Sequence, residues 1–107
     1  MSERPVLDTL TDLAMVSVEH NSLSAREFML ARTAALIAMD APPLSYLANA
    51  TVAEEAGVTA EDIQGIMIAV APVVGAPRVM AAAGHIFRAL GMAIAVAEAE
   101  LEGGDAG

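Results

Sequence analysis

The pair Pro42-Pro43 constrains this chain more than any other feature. Before it, Ala25 to Met39 is apolar on nearly all sides when wound as a helix. Proline has no backbone N–H and its ring clashes with the preceding turn, so that helix must stop ahead of the pair. Proline is tolerated in a helix's first turn, so the same pair can open the next helix. The chain therefore turns a corner here. That corner carries its densest group of polar side chains, in Asp40, Ser45, Tyr46 and Asn49.

The rest of the chain reads as helix too. Aromatic residues make up 3%, alanine, leucine, methionine and glutamate dominate, and no alternating run is bounded by turn residues. A first helix is predicted from about Val6 to Glu19, with Leu7, Leu10, Leu13 and Ala14 as its apolar stripe, broken by His20-Asn21-Ser22. Ser24 is the expected N-cap of the second helix, with Glu27 completing a capping box. This Ala25–Met39 helix is expected to be central and buried. The third ends at Gly57, a C′ glycine. Thr59 then caps a fourth with Asp62 three positions on, running to about Val74 and bent or shortened at Pro72. Gly75-Ala76-Pro77 is a turn into a long last helix that continues to Leu101, with Gly91 weakening its middle. The expected architecture is all-α, a single-domain bundle of about five to six helices over residues 1–102, with a disordered tail at 103–107.

The chain has 107 residues, and 56% of them are hydrophobic. Soluble proteins average roughly 45–50%. A small domain has too little interior for that excess, so it is expected to go into a subunit interface. A membrane is the less expected destination: the uncharged run Ile63–Pro77 falls short of the ~18 residues of a span and contains Pro72, and Val79–Ala97 is interrupted by His85 and Arg88. Early acidic residues, Glu3, Asp8 and Asp12, argue against a secretion signal, so a cytoplasmic protein is expected. The net charge is −9, with no lysine, which disfavours nucleic acid as a partner. There is no cysteine, which excludes disulfides, thiol catalysis, zinc–thiolate sites and iron–sulfur clusters. Two histidines, His20 and His85, leave little for a histidine-based metal site, and none is expected.

Ala56-Gly57-Val58-Thr59-Ala60-Glu61-Asp62-Ile63, followed at a fixed distance by Ala71-Pro72-Val73-Val74-Gly75-Ala76-Pro77, resembles the carboxymuconolactone decarboxylase and alkylhydroperoxidase D-like family. The resemblance covers roughly Leu23 to Leu90. It implies a helical fold, no cofactor, and a homo-oligomer, a trimer or a hexamer. In the peroxidase branch a Cys-x-x-Cys followed by a histidine precedes this glycine. Counted back from Gly57, those positions here are Pro42, Ser45 and Asn49. A serine hydroxyl cannot run a thiol redox cycle, so that chemistry is absent. The decarboxylase branch is thought to protonate its product with a histidine near the same helix. Asn49 stands there and cannot exchange a proton near neutral pH.

The remaining candidates are few. Ser45 and Asn49 share a helical face and, with Asp40 and Arg32, form the expected ligand-binding set, a small organic acid being the expected ligand. Each has a plain structural reading beside the functional one. Asp40 and Ser45 can cap the corner, Asn49 can satisfy backbone groups, and Arg32 can pair with Asp40 or Glu55. His85, on an apolar helix, and Tyr46 are the candidate proton-moving residues of a cofactor-free lyase or isomerase. A lone histidine of this kind is also compatible with a satisfied core or interface position. Two functions are open at this point: a redox-inactive family member that binds a small organic ligand, and a non-catalytic helical assembly or accessory protein.

Overall fold

A computed structural model describes residues 3–106, with side chains to residue 102. It has five helices: α1 (Pro5–Glu19), α2 (Ala25–Ala38), α3 (Pro43–Glu55), α4 (Ala60–Val74) and α5 (Ala76–Ala106). No strand occurs among the described residues. α4 runs through Pro72 to Val74 rather than stopping at it. α5 runs on through residues 103–106, where a tail was expected, and residue 107 lies outside the described residues.

The starts of α2 and α4 follow from short-range chemistry. Glu27 N–H donates to Ser24 Oγ at 3.1 Å while Ser24 N–H donates to Glu27 Oε1 at 2.9 Å. The same box closes at Thr59 and Asp62, at 3.1 and 2.8 Å. Each box satisfies donors that a helix otherwise leaves open. The second box is also a tertiary anchor. Arg26 on α2 forks onto both Asp62 carboxylate oxygens at 2.6 and 2.7 Å and donates to the Gly57 carbonyl at 2.9 Å. The Arg26 hydrogen bonds, and the one donated by the Thr59 backbone, hold the Asp62 carboxyl well below the usual carboxylate range.

α2 packs against α3, α4 and α5, so it is central as expected. It is not buried all round: Met29, Thr33 and Ile37, one turn apart, are its buried residues, while Ala31 and Ala35 are exposed. An apolar circumference does not decide burial when only one side has neighbours. The core joins Ile37, Ala41, Tyr46, Ile66, Ala82 and Ala89. α1 stands apart, packing against none of the other four helices and burying no residue. Its stripe residues Leu7, Leu10 and Leu13 are all exposed.

One segment, Ala76–Glu102, is long and apolar enough to cross a membrane, by length and composition. Within it Ala82 and Ala89 belong to the shared core, and His85 and Arg88 interrupt it.

Candidate functional site

The corner at Pro42-Pro43 is built from an αL-type helix end. Asp40 N–H donates to the Ile37 carbonyl at 3.2 Å and Ala41 N–H to the Leu36 carbonyl at 3.0 Å, the paired bonds of a Schellman motif. Gly57 closes α3 the same way, with Gly57 N–H to Glu54 O and Val58 N–H to Ala53 O, both 3.0 Å. Gly57 has φ +84°, which glycine adopts freely. Asp40 has φ +55°, which strains any residue with a Cβ. Asp40→Gly is therefore expected to raise stability by about 0.5–1 kcal/mol, the relieved strain exceeding glycine's extra unfolded-state entropy. Denaturant midpoints check it, and a loss of about 1 kcal/mol instead would mean that the Asp40 carboxylate makes a contact worth more than the strain.

That carboxylate has a neighbour. Asp40 Oδ1 lies 3.5 Å from His85 Nε2 on α5, longer than a good hydrogen bond but close enough to favour an N–H at Nε2. His85 Nδ1 and the Tyr46 hydroxyl are both buried with no hydrogen-bond partner. Burial, and then the charge of Asp40, push the Tyr46 phenol above its ordinary range. Asp40, Tyr46 and His85 thus form a polar group at the α2–α3 corner under α5.

Beside it, α2, α3, the start of α4 and α5 enclose a partly open cavity of about 310 Å³. Leu36, Ile63, Ile86 and Leu90 supply much of its wall, and the polar lining consists of Thr33, Tyr46, Asn49, Glu54 and Thr59. Asn49 Nδ2 donates to the Ser45 carbonyl one turn back at 2.7 Å, which leaves Asn49 Oδ1 as an acceptor and the second Nδ2–H as a donor. The Thr33 hydroxyl donates to the Met29 carbonyl at 2.8 Å and keeps its lone pairs. The Tyr46 ring lines the cavity while its hydroxyl is sealed from solvent.

The structure divides the residues singled out from the sequence. Asn49 and Tyr46 line the cavity, and Asp40 and His85 meet at the corner without lining it. Ser45 contributes its backbone carbonyl to Asn49. Arg32 stacks on the Phe28 ring, 4.5 Å from its centroid, and is within salt-bridge reach of no described carboxylate. Thr33 and Glu54 were not singled out. Thr33 had a visible signal, as the lone hydroxyl in an apolar helix, and Glu54 had none.

Residues 4–86 match the carboxymuconolactone decarboxylase family, most of the chain. The chain belongs to the carboxymuconolactone decarboxylase family. Neither the curated proteins nor the solved structures include a match. Within this family member, Asn49 occupies the position where the resemblance implied a histidine, and that position faces the cavity. The match ends at Ile86, so the Ala89, Leu90 and Ala93 part of the wall lies beyond it.

Proposed function

We propose that this carboxymuconolactone decarboxylase-family protein binds a small, neutral, mostly apolar organic molecule, without thiol redox chemistry. The observation that carries this reading is the cavity at Asn49. Its volume of about 310 Å³ is at the small end of ligand pockets, which run from roughly 300 to 1,000 Å³. Its free polar groups are the Asn49 Oδ1 and Thr33 Oγ1 acceptors and the second Asn49 Nδ2–H donor, so the matching ligand carries a hydroxyl or amide group that can meet them. No arginine or histidine lines it, and Glu54 does, so an organic acid, the ligand expected from sequence, has no cation to meet there. His85 and Asp40 do not line it either, so ligand binding is supported better than lyase or isomerase chemistry.

A panel of small neutral alcohols, phenols and amides tested against matched carboxylates by calorimetry decides the matter. A neutral donor is expected to bind, and Asn49→Leu is expected to weaken it about tenfold while leaving the unliganded protein folded. Preferential binding of carboxylates, or an Asn49→Leu variant with unchanged affinity, counts against the proposal.

The assembly reading has its own support. A compact monomer of 10.9 kDa exposes about 5,600 Å². This chain exposes 7704 Å², an excess of about 2,100 Å². Its radius of gyration is 15.6 Å, against about 13 Å for a compact chain of this length. A stable protein interface takes about 800 Å² from each partner, so the excess suits a homo-oligomer.

A further inference from the structure

The exposed surface of α5 has an order that the core does not explain. Met80, Ala83, Phe87, Leu90, Ile94 and Ala97 follow one another at alternating steps of three and four residues. That is the a/d spacing of a coiled-coil seam, sustained here over about 26 Å of helix. All six are exposed, Phe87 to 79% and Met80 to 74%. The residues through which α5 meets the core and the cavity, Ala82, Ile86, Ala89 and Ala93, lie on a different face, about 100° round the helix. No described helix of the same chain covers the seam.

We infer that this seam packs antiparallel against the same seam of a second copy, about a twofold axis near residues 88 and 89. This deepens the oligomer reading above and rests on it. Side-chain sizes select the direction. In an antiparallel coil each a position faces a d position, which sets Met80 against Ala97 of the partner subunit and Ala83 against Ile94 of the partner subunit. Phe87 then faces Leu90 of the partner subunit. Two of these three layers set a large side chain against a small one, as interdigitated packing requires. A parallel coil would stack alanine on alanine at 83 and 97, leaving voids, and phenylalanine on phenylalanine at 87.

Charge selects the same direction. Arg78 and Arg88 lie in the first half of α5, and Glu98, Glu100 and Glu102 lie in the second. Parallel helices would gather six glutamates at one end. Antiparallel helices place the two acidic ends at opposite ends of the contact, with the two Arg88 side chains near the axis, and oppose the two helix dipoles. The seam itself presents large exposed apolar side chains, Met80, Phe87, Leu90 and Ile94, to such a contact. A twofold contact of this kind builds a dimer or a hexamer of paired trimers, and excludes a simple trimer.

Leu90 links the contact to the cavity, because it lines the cavity and stands in the seam. The partner's α5 would close that wall from outside.

Because the chain has no cysteine, introduced thiols report the contact cleanly. The double variant Met80→Cys, Ala97→Cys is expected to give a disulfide-linked dimer on mild oxidation. Ala97→Cys alone is expected to give at least tenfold less. Phe87→Glu, which replaces a side chain the protomer core does not use, is expected to lower the light-scattering mass at least twofold. A wild-type mass of one chain at micromolar concentration overturns the inference. So does cross-linking by Ala97→Cys alone, which reports a parallel coil, and so does recovery of the wild-type protein only from detergent-extracted membranes. Ligand binding is read separately: a single-chain protein that still binds a neutral donor sinks this contact and spares the cavity reading. A cross-linked dimer that binds none does the reverse.

Discussion

Replacing Ile37 with alanine is expected to destabilise the fold by about 2–5 kcal/mol, a large share of the roughly 5–15 kcal/mol that holds a domain together. Ile37 is fully buried and meets the core where all four packed helices contribute, through Ala41, Tyr46, Ile66 and the alanines of α5. Truncation removes three carbon atoms from an interior with no spare surface to expose. Three of those neighbours are alanines, which have no side-chain freedom with which to fill the gap, so the void persists and its loss of contacts adds to the transfer term. Ile37→Val, which removes one carbon, should cost about 0.5–1.5 kcal/mol. Urea titrations at fixed protein concentration check both, since stability that includes assembly depends on concentration. A loss below about 1 kcal/mol for Ile37→Ala would mean that the core does not converge on this residue, and that assembly surfaces hold the protomer together instead.

The parts of this fold that could be read in advance are those decided within a few residues. Ser24 with Glu27, Thr59 with Asp62, and Gly57 at the end of α3 all stand as their types require, because capping is a contact between near neighbours. The corner at Pro42-Pro43 was legible for the same reason. Asp40 shows the limit: its αL backbone repeats the Gly57 helix end, but an aspartate carries no sign of that conformation in the sequence. Arg26 shows it again, since its partner Asp62 lies 36 positions away and nothing local marks the pair. At the site, Asn49, singled out through the family resemblance, and Tyr46, singled out in the polar cluster, both line the cavity. The absence of Arg32 from the cavity wall could not be read in advance, because it depends on that side chain turning to Phe28. α1 fails differently. Its apolar stripe packs against none of the other described helices, so periodicity predicted the helix but not its neighbours.

Enlarging Ala82 to leucine is expected to cost about 1–3 kcal/mol, although leucine is nearly as good a helix former as alanine. Ala82 is 0% exposed, and its methyl group sits in the core cluster where α5 approaches α2, α3 and α4. A small residue at such a crossing lets helix backbones come close. Three added carbons have nowhere to go unless α5 moves outward or neighbouring side chains leave their rotamers. Outward movement would also disturb Tyr46 and Ile86, both of which line the cavity, so reduced ligand affinity is expected alongside the lost stability. Ala81→Leu is the matched control, because Ala81 is the preceding residue of the same helix and is exposed. The two substitutions share composition, propensity and location within one residue, and differ only in the side of α5 they occupy. Ala81→Leu should stay within about 0.5 kcal/mol of the parent. Equal midpoints for the two variants in thermal and urea unfolding would mean that α5 is not seated on this face, and the cavity wall built from that face would fall with it.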